Sequence, residues 1–286
     1  MNTALMVVLA IVLGPIIGGL LTGIDRKITA RLQGRFGPPI MQPFYDVFKL
    51  LGKEKFINNK VQIVYVITYL FFAMLSFVLF VLGQDLIAII FVLTVGGGAM
   101  VMGALSVRSP YSQIGSQREI LQMLAYDPLL IITAVAMFMV TGSFKVAEIV
   151  NYQIHNNTPL LYVLPLVFIV LIEVLSIKMR KSPFDISAGQ HAHQEIVRGV
   201  HTEFSGPYLA LIEVAHWYEL MLALGFVAIF FASNWYIAAT LVIVMYLLEI
   251  ILDNTTARLT WKWMLKSAWG FGIVLCAVNI IALYFI

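Results

Sequence analysis

The sequence predicts an all-α integral membrane protein of about eight transmembrane helices with structured cytoplasmic loops. Three observations predict it. Of 286 residues, 61% are hydrophobic and only 12% charged, about half the charged share of a soluble domain. Apolar runs near the ~20 residues that a hydrocarbon core requires recur from end to end. The basic residues are confined to alternate connections between those runs.

The runs cover about 4–24, 61–83, 86–107, 120–141, 159–177, 207–232, 235–252 and 265–286, a single membrane domain over 1–286. With eight spans both ends share one side, and the connections at about 25–60, 108–119, 178–206 and 253–264 share the other. Those four connections, with Lys266 at the last boundary, hold 17 of the 18 Lys and Arg residues; Lys145 is the exception. By the positive-inside rule the basic loops are cytoplasmic and both termini lie on the outer side of the cell membrane. A shift of one span would scramble this partition, so count and orientation support each other.

The first span is not a signal peptide, because no basic residue precedes it and no small-residue cleavage pattern follows. Gly14-Pro15 and Gly18-Gly19 predict a kinked, closely packed helix. The first loop carries eight basic and three acidic residues. Gly34, Gly37, Pro38, Pro39 and Pro43 break it into a rigid bend before a short helical pattern in FYDVFKLLGK. Periodicity favours a surface helix seeking anionic headgroups over a partner-docking surface. A headgroup-seeking helix, however, has no need of the fixed shape that GRFGPP implies. In the third span VGGGAMVMGALS reads as close helix packing.

The next loop and span read RSPYSQIGSQREILQMLAYDP, with Arg118, Gln122 and Tyr126 at four-residue steps and Glu119 and Asp127 alongside. Such a face is costly on a spanning helix unless it meets protein or water. Pro128 is expected to bend the helix and release backbone groups. The stretch from Gly142 to Pro159 reads as a connector. Glu173 in the fifth span has two readings of equal weight, a side chain snorkelling to the surface or an inward-facing proton carrier.

The central loop contains His191-Ala192-His193. Imidazoles two residues apart diverge on a helix, and no Cys or acid pair at structural-zinc spacing accompanies them, so no metal site is expected. Ser205-Gly206-Pro207 resembles a helix start with a capping hydroxyl. Glu213, His216 and Glu219 then follow at three-residue steps, Glu213 ~9–10 Å along the helix and Glu219 about 9 Å further. Three ionisable groups in seven residues of an apolar span read as an ion path. Glu249, with Asp253 and Arg258 after it, is better read as a satisfied boundary acid. Trp261 and Trp263 beside Lys262 read as interfacial anchors.

Several function classes drop out. No glycine-rich phosphate motif is present, and the single cysteine, Cys276, excludes an internal disulfide or a cysteine-ligated cluster. No histidine pair on facing spans suits haem. The lipid bilayer is the expected surroundings and nucleic acid is not an expected partner. No lysine lies in the middle of a span, which argues against an antiporter-type Lys–Glu relay.

Four blocks resemble one family: Arg31 to Glu54, RLQGRFGPPIMQPFYDVFKLLGKE; Gly115 to Pro128, GSQREILQMLAYDP; Pro183 to Asp185, PFD; and Glu195 to Gly206, EIVRGVHTEFSG. Together they resemble the membrane subunit shared by respiratory complex I, where it forms much of the quinone chamber, and the energy-converting membrane-bound nickel–iron hydrogenases. GRFGPPIMQP is compressed relative to the complex I pattern, KMRKS replaces its ETNR before PFD, and QHAHQE replaces its glutamate-rich run. The acid that the complex I version carries in the sixth helix falls at His216. These departures favour an Ech-type hydrogenase.

The resemblance implies that this chain binds no cofactor and that partners carry a 4Fe–4S cluster and the nickel–iron site. The implied partners are hydrogenase large and small subunits, a ferredoxin-like iron–sulfur subunit and an antiporter-like membrane subunit. Arg31, Arg35, Gln42, Asp46, Lys49, Glu54, Arg118, Glu119 and Asp185 would serve docking, and no residue is expected to be catalytic. Glu195, Glu203, Glu213, His216 and Glu219, with Asp127 and Glu173, would form a proton or ion relay coupling ferredoxin-linked proton reduction or hydrogen oxidation to translocation of H⁺ or Na⁺. The alternatives are the quinone-site subunit of a complex I-type dehydrogenase and a purely structural anchor.

Overall fold

A computed structural model describes residues 3–56, 59–181, 183–184 and 199–285. They form helices, joined by two isolated β-bridges, Asp85 to Lys145 and Phe184 to Leu259. In chain order these are α1 (Thr3–Leu32), α2 (Gln42–Leu51), α3 (Val61–Val81), α4 (Leu86–Leu105), α5 (Pro110–Thr141), α6 (Val146–Asn156), α7 (Leu160–Val163) and α8 (Pro165–Lys178). A short 3₁₀ turn, Gly199–His201, precedes α9 (Gly206–Ile229) and α10 (Trp235–Thr255). The last run comprises α11 (Trp261–Lys266), a π-helical turn (Ser267–Gly272) and α12 (Ile273–Tyr284).

Among the described residues seven helices are long and apolar enough to cross a membrane: α1, α3, α4, α5, α9, α10 and the run Trp261–Tyr284. The protein is therefore an all-α, multi-pass membrane protein. The predicted fifth span is present in two pieces. Pro165 has no N–H, Leu164 leaves the helical region at φ −121°, ψ 49°, and the chain breaks between α7 and α8. Asn279 mends the break. Its Oδ1 accepts from the N–H groups of Leu166 (2.9 Å) and Val167 (3.4 Å), and its Nδ2 donates to the Val163 carbonyl (3.0 Å).

Two helices outrun the spans read from the apolar runs. α1 continues to Leu32 and α5 begins at Pro110, so much of the expected 108–119 loop is helix. Hydropathy marks where a segment leaves hydrocarbon, whereas a helix ends where its hydrogen-bond ladder does. At 30 residues, α1 is about 45 Å long against a core of about 30 Å.

The chain divides into two compact units. The first comprises Met1–Val78, Val92–Met123 and Ile186–Met221; the second comprises Leu79–Phe91, Leu124–Asp185 and Leu222–Ile286. The division falls inside α3, α4, α5 and α9.

In the first unit, small residues let backbones meet. A Cβ on Gly18 would lie 2.7 Å from the Trp217 carbonyl oxygen, and one on Gly23 would lie 1.8 Å from that of Ile40. Both contacts bring α1 against other parts of the unit at distances only glycine permits. The VGGG stretch packs as expected at Gly96 against Phe72 and Gly97 against Met123, while Gly98 faces open space. Trp217, Val47 and Ala210 form a buried cluster edged by Phe44, Leu50 and Val214.

In the second unit, side-chain amides do comparable work. Gln153 on α6 is fully buried. Its Nε2 donates to the Ile229 carbonyl (2.7 Å), and its Oε1 accepts from the N–H groups of Ala232 (3.1 Å) and Leu160 (3.4 Å). One side chain thus satisfies the end of α9 and the start of α7. The stretch 142–159 is more than a connector.

Candidate functional site

The first unit gathers described parts of three of the four sequence blocks around the start of α9. Gly206 has φ +54°, and its Cβ position lies 2.7 Å from the Glu54 carbonyl oxygen, so the end of the first connection abuts the first residue of α9. The Ser205 hydroxyl, expected as a helix cap, donates to the Phe56 carbonyl (3.2 Å). Gly115 on α5 lies under the 3₁₀ turn, where a Cβ would come within 2.3 Å of the Val200 nitrogen. Close packing therefore fixes how the first loop, α5 and α9 meet within this unit.

A cavity of about 620 Å³ opens between these parts. Pro43, Val47, Leu50, Phe204, Leu209 and Trp217 supply an apolar wall; Arg26, Lys49 and Lys53 and the acids Asp46, Glu54 and Glu213 supply the charge. Its volume is that of an ordinary small-molecule pocket. Arg26 Nη1 donates to Asp46 Oδ2 (2.6 Å), and Gln42 Nε2 donates to Oδ1 of the same carboxylate (3.0 Å). Asp46, one of the residues expected to dock a partner, thus ties α2 to α1, and Gln42, another, orients its carboxylate within α2. Lys49 and Glu54, also expected for docking, share the cavity with Glu213.

Beyond Glu213, α9 carries two more of the residues expected to form a relay, His216 and Glu219. The His216 ring stands edge-on to Tyr69 with centroids 5.9 Å apart, and the His201 ring lies 5.3 Å away on its own element. His201 is buried, and sequence reasoning misses it; its only signal is membership of EIVRGVHTEFSG. Glu219 is buried at 6% exposure. The Tyr218 hydroxyl donates to the Ile11 carbonyl at 2.6 Å. Pro15 lies four residues on from Ile11, and its missing N–H leaves that carbonyl without its helical donor. Tyr218 is therefore a repair of the α1 kink.

Arg31 and Arg35 are exposed; the Arg31 guanidinium stacks 5.3 Å from the Phe36 ring, and Arg35 donates to Gln33. Phe36, Tyr45, Phe48 and Phe56 are exposed near them in sequence. Arg118 and Glu203 are half-buried, whereas Glu119 and Gln122 are buried. Asp185, Glu195, His191 and His193 lie outside the described residues.

The second unit holds Asp127 and Glu173. Beside Asp127, the Lys178 ammonium donates to the Tyr126 hydroxyl (3.3 Å) and sits 4.9 Å from its ring centre. Pro128 lies inside α5 without ending it, and the Leu124 carbonyl it releases accepts from the Trp269 indole N–H at 3.0 Å. Glu173 is half-buried and hydrogen-bonds with the Ser267 hydroxyl. Glu249, read in the sequence as a satisfied boundary acid, is fully buried, and its Oε2 accepts from the Ser176 hydroxyl at 2.8 Å.

Comparison with known proteins agrees in scale. The NADH dehydrogenase family profile matches residues 3–284. An NADH-quinone oxidoreductase subunit of Dehalococcoides mccartyi strain CBDB1 is 27% identical over 287 residues, covering 90% of this chain and 79% of that protein. Hydrogenase-4 component C of Escherichia coli strain K12 is 29% identical over 292 residues, covering 90% of this chain and 89% of that protein. A chain in the structure of the membrane-bound sulfane sulfur reductase, an archaeal respiratory membrane complex, superposes with a TM-score of 0.88 at 28% identity, covering 99% of this chain and 100% of that one.

Proposed function

The chain belongs to the NADH dehydrogenase family, and from that premise we propose that it is the membrane subunit on which an energy-converting, Ech-type nickel–iron hydrogenase assembles. It is a subunit of a multisubunit oxidoreductase complex. In the proposed role it docks hydrogenase large and small subunits and a ferredoxin-like iron–sulfur subunit on its basic loops, and an antiporter-like subunit beside its spans. The 4Fe–4S cluster and the nickel–iron site belong to those partners. The basic loops are cytoplasmic and both termini lie outside. Ferredoxin-linked proton reduction, or the reverse, drives proton or sodium translocation through this chain's buried groups.

One observation carries the coupling role: Glu213, first of the α9 groups, lines the same cavity as Lys49, Glu54 and the Arg26–Asp46 pair. A partner seated on the first loop would therefore act on the charge surroundings of Glu213 directly. His216 and Glu219 continue inward on the same helix at three-residue steps. Asp127 and Glu173 add acids in the second unit, and Glu195 and Glu203 lead to the docking side. The compressed GRFGPPIMQP of the first loop supports the hydrogenase branch.

Purification of the native complex tests the assignment. The expected preparation contains a large subunit with nickel-binding CxxC pairs and evolves hydrogen from reduced ferredoxin. A preparation that lacks nickel and reduces quinone from NADH would overturn it. That second reading is favoured by the apolar wall of the cavity, and a quinone-site inhibitor that blocks turnover would support it.

A further inference from the structure

Glu249 is the one acid in an apolar span that the proposed relay leaves unused. Its surroundings on α8 and α10 are specific. Ser176 is 3% exposed and Lys181 5%, and Glu249 is not exposed at all. Ser176 Oγ lies 2.8 Å from Glu249 Oε2 and 3.2 Å from the Ile172 carbonyl oxygen, with a hydrogen-bond geometry to both. A hydroxyl has one proton to donate and two lone pairs that accept, so the two contacts are alternatives. The charges of Lys181 and Asp253 act on Glu249, and the Lys181 ammonium rests 5.3 Å from the ring centre of Tyr246, one turn before Glu249 on α10. Glu249 Oε1 is buried without a hydrogen-bond partner among the described residues.

We propose that Glu249 is a second proton-holding site of this subunit, that Ser176 and Lys181 are its positioning residues, and that it takes H⁺ and not Na⁺. The proposal rests on the coupling role above and extends it to a different helix pair. With Glu249 ionised, Ser176 donates to Oε2 and Lys181 supplies the balancing charge. When one proton arrives, an O–H bond forms on Oε2, which becomes the donor to Ser176 Oγ. The serine proton turns to the Ile172 carbonyl. No other bond forms or breaks, no electron moves, and the site's charge rises by one. Both states are hydrogen-bonded in place, which is what a group that must change charge inside protein requires.

Sodium is disfavoured by the same geometry. A hard cation needs several oxygen ligands. Here one hydroxyl converges on the Glu249 carboxylate, a buried ammonium as well as Asp253 acts on it, and the Ile172 carbonyl belongs to a helix. Among the described residues no three acids, histidines or cysteines group as metal ligands.

The test is infrared difference spectroscopy of the intact complex, reduced against reoxidised, with and without Na⁺. The expected result is a carboxyl C=O band that is absent in Glu249→Gln, shifts in D₂O and is indifferent to Na⁺. The band moves to higher wavenumber in Ser176→Ala and returns in Ser176→Thr. A band that Na⁺ removes, or that ignores Ser176→Ala, overturns the proposal, as does the absence of any such band in wild type. Should Glu249→Gln fail to assemble, the serine pair still decides, since both variants keep the carboxyl group. Gradient formation that survives Glu213→Gln would sink the α9 relay and leave this band untouched. Loss of this band with coupling intact would sink only the present inference.

Discussion

The two units solve the same problem in different ways. In the first, the groups expected to form a relay lie mainly along one helix, α9, and the frame around them is made by backbones meeting at glycines. In the second, the polar groups come from α8, α10 and the π-helical turn, and the frame is made by Asn279 and Gln153 replacing lost backbone partners. The difference teaches where each is fragile. A first-unit site breaks when a small residue grows, and a second-unit site breaks when an amide loses its hydrogen bonds.

The largest expected effect is therefore at Gly23. Gly23→Ala drives a Cβ to within 1.8 Å of the Ile40 carbonyl oxygen, a backbone clash that no rotamer relieves, and destabilises by more than about 3 kcal/mol. Gly98→Ala, in open space, is the control and leaves thermal stability within about 0.5 kcal/mol. Equal melting temperatures for the two detergent-solubilised variants would contradict the account of the first unit.

Gln153→Leu is next. It keeps the volume but strands the Ile229 carbonyl and the N–H groups of Leu160 and Ala232, which costs about 3 kcal/mol. Heat-induced unfolding of the purified chain reads this, and a loss under about 1 kcal/mol would show that the clamp is incidental.

The prolines inside α1 and α5 offer a finer comparison, one in each unit. Tyr218→Phe strands the Ile11 carbonyl and Trp269→Phe strands that of Leu124, each at about 1–2 kcal/mol. Replacing Pro15 or Pro128 by Ala restores a backbone donor, so each aromatic change becomes nearly neutral in its own proline-free background. Additive double mutants would refute the repair reading.

The smallest effect lies outside the spans. The Ser143 hydroxyl and Lys145 hydrogen-bond with Glu148 at the start of α6 and hold its carboxyl below the ordinary 4.5. A depressed folded value contributes stability above the unfolded value, lost as pH falls through the folded one. Ser143→Ala moves the titration upward, as carboxyl chemical shifts would show; an unmoved titration would detach Ser143 from Glu148.

The same contrast decides what the sequence could reveal. Glu213, His216 and Glu219 are legible because one helix carries them at fixed steps through an apolar run. The carbonyls that Pro15 and Pro128 release are legible as well, though not the donors that answer them. The partner of Glu249 is hidden because Ser176 is 73 positions away and a lone serine gives no signal in an apolar span. His201 is silent for the same reason, as its neighbour His216 lies on another element. The break before Pro165 is hidden because hydropathy runs unchanged across it and Asn279, which repairs it, sits in the last span.

The most direct test of the central claim is ion translocation per electron pair in the reconstituted complex carrying Glu213→Gln. The account predicts full assembly and a gradient reduced at least about tenfold, the factor that ~1.4 kcal/mol at one relay position supplies. An assembled complex that builds the wild-type gradient would contradict it.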